Sequence, residues 1–482
     1  MARLSKGLAG AVLCFVATVG HGEDEPIAVG QHLYSSDQAV IVTLKPNNFR
    51  EELRRLLSHS YDIAGVDVAE KTIDVVVSQG EAKRLSSLSS ARVQSTKSFD
   101  PLAAPDSGYT THQELTDIVT RTAEAFPNIV SYESIGKSLE GREIWAVKIS
   151  DNVAKRETDE PVIFFNAMHH AREVMTTEVA IDIIEQLTKG YESNSQVQGW
   201  VNNNEIWIVP MVNPDGNNKV WTSNSMWRKN TRGGHGVDIN RNYPYKWGEC
   251  SGSSGSTSAD DYRGPSAASE PETQNMMNFV SRIKPIMSIS YHSYSELVLY
   301  PYSCKGEHTP DHNTVKNVGQ QLAKRLPKDG SPGTYTPGTP WEILYGVDGG
   351  DIDWYYAEHD VLPFVIEVSS KLQGFQPAFS WRQRTVEKMR AGWKFLLDRA
   401  GRSGVRGLVL NEQGQAITSG QVSLRPLSQP EATAYATRIK PDGTYHIVCE
   451  PGMYKLSVMA DGQVTEQDIA VGSGRLDTNI AL

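Results

Sequence analysis

Pro161-Val-Ile-Phe-Phe-Asn-Ala-Met-His-His-Ala-Arg-Glu173 decides the fold. Its first half, through Phe165, is apolar without alternation, the pattern of a strand covered on both faces. Its second half, His169 to Glu173, is polar. Beyond it Val179, Ala180, Ile183, Ile184 and Leu187 have the spacing of one helix face. The same short apolar signature recurs at Ile206-Trp-Ile-Val209, Ile286-Met-Ser-Ile-Ser290 and Val361-Leu-Pro-Phe-Val-Ile366. Buried strands alternating with amphipathic helices predict an α/β fold, a mixed central sheet flanked by helices, over residues 106–400. Pro363 lies inside the last run, and its missing N–H places it at that strand's start.

Two smaller units flank this core. Upstream, strand-like Ser36 to Leu44 and Thr72 to Val77 bracket a helix-like stretch from Asn48 to Leu57. A serine-rich run through Ser86, Ser87, Ser89 and Ser90, with Arg92 and Lys97, leads into a Pro101–Gly108 linker. This reads as a small α/β unit within residues 23–105, joined by a polar segment open to nicking, and as a binding module, a folding aid or an inhibitory propeptide, which these residues alone do not rank. Downstream, residues 405–482 have no helical period. Short β-rich runs there are separated by Asp442-Gly443, Pro451-Gly452 and Asp461-Gly462, which predicts a β-sandwich.

Residues 1–22 have the form of an export signal. Arg3 and Lys6 precede an apolar run from Leu8 to Val19, and small Gly20 and Gly22 stand before acidic Glu23. The run is shorter than the roughly 20 residues that span a bilayer, so no stable membrane insertion is expected. Of four cysteines, Cys14 falls in this leader and leaves Cys250, Cys304 and Cys449. An oxidising compartment permits Cys250 to pair with Cys304 if their loops meet. The formal charge of -10 gives no basic face for nucleic acid.

Ligands in open α/β sheets bind where strands end, which draws attention to His169–Glu173. His170 and Glu173, three apart, share a face at a helix start and can hold one cation. Imidazole and carboxylate suit zinc, and a His2Glu set leaves a fourth position for water. On its own His-x-x-Glu is common, because a helix start favours glutamate electrostatically. His292, directly after its strand, is the natural third ligand, with His169 as the alternative. Glu367 occupies a strand position otherwise apolar. A carboxylate there is costly unless paired with a buried arginine or working as a general base on water. Arg228 and Arg241 are planar forks for a carboxylate or an oxyanion, and Asn240 adds an amide donor beside them. Tyr345, in glycine-rich Leu344-Tyr-Gly-Val-Asp-Gly-Gly-Asp-Ile-Asp-Trp354, can close over a ligand as a phenolic donor. Together these imply hydrolysis of a substrate with a negative charge beside the scissile bond, most simply a free C-terminal carboxylate.

The chain resembles the zinc carboxypeptidases of the pancreatic A/B type and the bacterial carboxypeptidase T type. The matching stretches are His170-Ala-Arg-Glu173, Trp227-Arg-Lys229, Asp238-Ile-Asn-Arg-Asn242, Tyr262-Arg-Gly-Pro265, Glu270-Pro-Glu-Thr273, His292-Ser-Tyr-Ser295, Leu299-Tyr-Pro-Tyr302, Tyr345, Gly349-Gly350 with Asp353-Trp354, and Phe364-Val-Ile-Glu367. The resemblance implies that His170, Glu173 and His292 hold one zinc ion. It implies that Glu367 activates water and passes its proton to the leaving amine, and that Arg228 steadies the oxyanion. Asn240, Arg241 and Tyr345 would grip the terminal carboxylate, with Arg172 assisting. Residues 23–105 would be a propeptide covering the cleft until an activating protease cuts it off. Residues 405–482 resemble the transthyretin-like domain of regulatory-type members, kept or removed on maturation.

Three departures bear on specificity and packing. Val174 replaces a tryptophan common in the family. Ile352 falls on the pocket position that favours apolar or aromatic C-terminal residues, yet Asp348 and Asp351 are close enough in sequence to attract Lys or Arg, and Ser303 in the wall decides neither way. The expectation is a secreted enzyme, extracellular or periplasmic, monomeric, acting on peptides and proteins with free C-termini. Broad or basic specificity, a cell-wall (murein) peptide substrate, and a non-catalytic C-terminus binder are the alternatives.

Overall fold

Ile163 and Phe165 project to one face of the central sheet and Val162 and Phe164 to the other, all buried. The non-alternating run is therefore a strand with helices on both sides. The computed structural model describes residues 39–87, 90–157, 160–402, 404–432 and 434–482. The leader at 1–22, residues 23–38 and Ser89 lie outside the described residues. Among those described, no helix is long and apolar enough to cross a membrane.

The first unit contains β1 (Ala39–Pro46), α1 (Phe49–Ser58), β2 (Asp62–Asp67), β3 (Thr72–Ser78), α2 (Gln79–Ser86) and β4 (Ala91–Phe99). Asn48 caps α1 by accepting from Glu51 N, which fixes the helix start the sequence suggests. The sheet order is β2-β3-β1-β4, antiparallel throughout. Here the sequence expectation needs correcting. The polar run that carries Arg92 and Lys97 is regular from Ala91 onward: it forms β4, which pairs with β1 from Ala39↔Phe99 to Pro46↔Ala91. Polar, charged residues are what an edge strand carries on its open side, and their composition matches that of a linker.

The central unit follows as α3 (His112–Ala125), β5 (Val130–Lys137), β6 (Glu143–Ile149), β7 (Val162–Ala167), α4 (Met175–Gly190), α5 (Ser195–Val201), β8 (Glu205–Val209), α6 (Pro214–Thr222), α7 (Pro271–Ile283), β9 (Met287–Ser293), β10 (Leu297–Leu299), α8 (His312–Ala323), β11 (Thr336–Gly338), α9 (Pro340–Ile343), α10 (Asp351–His359), β12 (Leu362–Val368) and α11 (Arg382–Ala400). Its eight strands run in the order β11-β10-β12-β9-β7-β8-β6-β5. The central four are parallel and the flanking pairs mixed. One face packs on α4, α8 and α11 through Ile183, Leu187, Val318, Met389 and Trp393. The other packs on α7 and α10 through Met276, Phe279, Trp354 and Tyr355. Val174 is buried in the first of these cores. Pro363 is the second residue of β12, at the strand's start as expected. After β7 the chain places β8 on one side and β9 on the other, so the C-terminal end of β7 is the sheet's switch point.

The last unit comprises β13 (Gly404–Leu410), β14 (Gln421–Pro426), β15 (Tyr435–Arg438), β16 (Thr444–Val448), β17 (Gly452–Ala460), β18 (Gln463–Val471), β19 (Arg475–Asp477) and β20 (Ile480–Ala481), in two four-stranded sheets around one apolar core. Asp461 and Gly462, both at positive φ, form the two-residue turn between β17 and β18. Arg438 ties this unit to the sheet domain, its backbone N donating to Asp360 Oδ2 at 2.8 Å and its guanidinium to Ala357 O at 3.0 Å.

Candidate metal centre and its cleft

His170 and Glu173 do not lie in a helix. They sit in the turn between β7 and α4, closed by Glu173 N donating to His170 O at 3.1 Å. A single i to i+3 turn brings the two side chains together as a helix would have. His292 arrives from β9, and Glu367 stands beside it on β12 in direct register.

His170 Nδ1 lies 2.8 Å from Glu173 Oε1 and 3.1 Å from His292 Nδ1, and His292 Nδ1 lies 3.2 Å from Glu173 Oε2. Zinc bonds of about 2.0–2.2 Å put tetrahedral donors about 3.3 Å apart, so the three groups fit that ion. The other nitrogen of His170 faces Asp238 Oδ1 at 3.2 Å, which holds a proton there and turns the Nδ1 lone pair toward the cluster. Burial, reinforced by Arg228, holds His170 below its usual pKa, so the ring is neutral at pH 7. His169, the alternative ligand, points elsewhere. Its Nε2 contacts the Tyr243 hydroxyl at 3.1 Å and lies 3.9 Å from Asp351 Oδ2. His169, His292 and Asp351 could also gather around a cation, but His169 already has the tyrosine as its partner.

A cleft of about 670 Å³ is lined by His170, Glu173, His292, Glu367, Arg228, Asn240, Arg241, Tyr345 and Ile352. Burial pushes the Glu367 carboxyl up to about 7 against the opposing pull of His292. Arg228 is fixed by Nε and Nη2 donating to Asp238 Oδ2 at 3.1 and 2.8 Å. Asn240 Oδ1 accepts from Asp351 N at 2.8 Å, while its Nδ2 lies 3.3 Å from His292 Nε2. Arg241 Nη1 donates to the Asn240 carbonyl at 2.7 Å, and its buried Nε has no partner among the described residues. Ser303 is held by Asp353 through its N and Oγ, both at 2.9 Å. Cys250 and Cys304 are disulfide-bonded, with Cα atoms 5.7 Å apart, so the loops that carry them do meet.

Arg172 stands apart from the other proposed substrate residues. Its guanidinium donates to both oxygens of Asp62 in β2, at 2.5 and 2.8 Å, and covers the Phe375 ring at 4.1 Å. Burial disfavours the Asp62 charge, but the Arg172 guanidinium outweighs it and holds the carboxyl below its usual range. Beside Asp62, Ile63, Ala64 and Gly65 line the cleft itself. A Cβ on Gly65 would sit 2.7 Å from the Tyr294 ring, so only glycine allows this approach. Val66 N donates to Ser295 Oγ at 3.1 Å, and Tyr294 Oη donates to Asp74 at 3.0 Å.

Asp348 is not available to a substrate. It is buried and accepts from Gly252 N at 2.8 Å and from the Ser253 hydroxyl, fixing the disulfide loop. Asp351 lies in the cleft wall with Oδ2 free of hydrogen bonds among the described residues. Asp238 and Asp62 carry no role in the sequence reading. Asp238 opens the stretch Asp238-Ile-Asn-Arg-Asn242, and its closeness to Asn240 and Arg241 is the signal the sequence offers for it.

A mixed α/β sheet with a His2Glu cluster at its switch point defines a metallopeptidase type of site. The zinc carboxypeptidase family matches residues 115–392, and the chain belongs to that family. It is 36% identical over 295 residues to "Zinc carboxypeptidase" of Saccharothrix mutabilis subsp. capreolus, covering 56% of this chain and 65% of that protein. It is 27% identical over 412 residues to human "Carboxypeptidase D", covering 80% of this chain and 28% of that protein. The chain thus spans less than two thirds of either relative. Among solved structures, the carboxypeptidase A of Helicoverpa armigera superposes with a TM-score of 0.65 at 22% identity, covering 76% of this chain and 98% of that one, a likeness of fold.

Proposed function

We propose that this chain is a zinc-dependent exopeptidase that hydrolyses the C-terminal peptide bond of peptides and proteins. The observation that carries the reading is the convergence of His170, Glu173 and His292 donors within 3.2 Å of their neighbours, on a cleft that Glu367 and two arginines share. When bound, zinc supplies a Lewis acid that polarises a carbonyl and acidifies water. Glu367, with its pKa raised to about 7, takes a proton from water and returns it to the leaving amine. Arg228, fixed by Asp238, faces the developing oxyanion. Arg241, Asn240 and Tyr345 receive the terminal carboxylate. Metal analysis combined with a C-terminal-residue release assay, before and after limited proteolysis, tests this. A metal-free protein with no release after cutting would sink it.

Ile352 in the cleft wall supports an apolar or aromatic C-terminal residue, and the commitment of Asp348 to its own loop removes one argument for a basic one. Peptides ending in Phe are expected to exceed those ending in Arg by about 10-fold or more in kcat/KM. A strong Arg preference would shift the weight to Asp351.

Residues 23–105 act in this reading as an inhibitory prosegment, whose described unit at 39–99 brings Asp62 onto Arg172 and β2 into the cleft. Removing one partner of a buried ion pair costs about 3–5 kcal/mol. If about half of that cost falls on the docked state, Asp62→Ala is expected to raise the activity of the uncut chain by about 10- to 100-fold. Hydrolysis of a short peptide by uncut variant and parent measures it, and equal rates would remove Asp62 from the inhibitory contact.

A further inference from the structure

The segment Asp100-Pro-Leu-Ala-Ala-Pro-Asp-Ser-Gly108 is pinned to the neighbouring unit at two points, with an outward turn between them in which Leu102 N donates to Asp100 Oδ1 at 2.9 Å and Ala103 N to the Asp100 carbonyl at 3.1 Å. The Pro101 carbonyl accepts from Ser225 N at 2.8 Å, and Pro101 is buried. Pro105 is buried too, and Asp106 Oδ2 accepts from Phe379 N at 3.0 Å. Between these anchors Leu102 is 74% exposed, and Ala103 and Ala104 are exposed. An exposed aliphatic residue flanked by alanines on a surface loop is what an endopeptidase with an apolar primary pocket takes. The next basic residues in either direction are Lys97, paired with Ile41 in β4, and Arg121, inside α3. A protease that reads Lys or Arg would have to unpair a strand or unwind a helix. The Ala104–Pro105 bond is also a poor substrate, since proline fixes φ and lacks the N–H.

We propose that the activating partner is an endopeptidase specific for an aliphatic residue, and that it cuts Leu102–Ala103. Water adds across that bond as the C–N bond breaks: its oxygen completes the Leu102 carboxylate, and both its protons go to the Ala103 nitrogen, the new N-terminal ammonium. The cut lies after β4 and before Asp106, so both units keep their anchors. This rests on reading residues 39–99 as inhibitory.

The test treats the purified full chain with an elastase-type protease and, separately, with trypsin, reading new N-termini by mass spectrometry and activity by C-terminal-residue release. The expected first product of the elastase-type enzyme begins at Ala103, with no trypsin product beginning between Ser98 and Arg121. Leu102→Asp should slow the elastase-type cut by about 10-fold or more, while Leu102→Arg should open a trypsin cut at that position. A first cut at another bond, or an unchanged rate in Leu102→Asp, overturns the proposal. Cleavage at Leu102–Ala103 with no gain of release even after dilution of the cut protein supports the assigned bond and overturns the inhibitory reading. A gain following a cut elsewhere does the reverse.

Discussion

Replacing Glu367 with glutamine is expected to leave metal binding intact and to lower kcat by about 10²- to 10⁴-fold. Glu367 is not one of the three converging donors, so its loss should not empty the metal site. Glutamine keeps the shape of the side chain and its place in register with His292 on β12, but it cannot take a proton from water. The two measurements are zinc content and kcat on one peptide. Zinc retained with turnover nearly lost fits the assignment, whereas full turnover would remove Glu367 from the proton path. The pH profile gives a second check. With the carboxyl raised to about 7, the base is ionised above that value, so kcat/KM should fall as pH drops through it. The glutamine variant should lack that limb.

The second large effect is expected at Asp238, whose two oxygens serve different partners. Oδ1 faces His170 Nε2, and Oδ2 accepts from Arg228. Asp238→Ala should weaken zinc binding by about 10- to 100-fold and lower kcat by a further 10²- to 10³-fold or so through the loosened Arg228. Asp238→Asn separates the two jobs. Its amide oxygen can still accept from His170, so zinc affinity should stay near that of the parent. The charge that fixes Arg228 is gone, so kcat should still fall. Competition against a chelator and steady-state kinetics read the two quantities. Equal behaviour of both variants would mean that Asp238 has no divided role.

That His170, Glu173, His292 and Glu367 lie close together is legible in the sequence, because apolar runs mark where strands end and each of the four stands at or beside such an end. Asp238 and Asp62 are not, since their meaning depends on partners 68 and 110 residues away in the chain. A carboxylate at either position reads equally well as a solvated loop residue. β4 is not legible in the sequence, because Arg92 and Lys97 give an edge strand the composition of an irregular polar segment. Asp348 misled for a related reason: closeness in sequence to Ile352 said nothing of the direction of its side chain, which turns to Gly252 and Ser253. The helix start predicted at His170 moved to Met175, yet the shared face survived, because a tight turn and a helix place residues three apart in much the same relation.

The order β2-β3-β1-β4 has a thermodynamic consequence. With β4 as its last strand, the first unit keeps a complete sheet and its own apolar residues, Val40, Val42, Leu53, Leu56 and Val75, when the chain is severed beyond Phe99. Severing would then convert an intramolecular contact into an association between two folded pieces, held by Asp62 on Arg172 and by β2 in the cleft. The free fraction after the cut would obey mass action, rising on dilution and falling on concentration. A concentrated store of severed protein would stay largely closed and open as it dispersed.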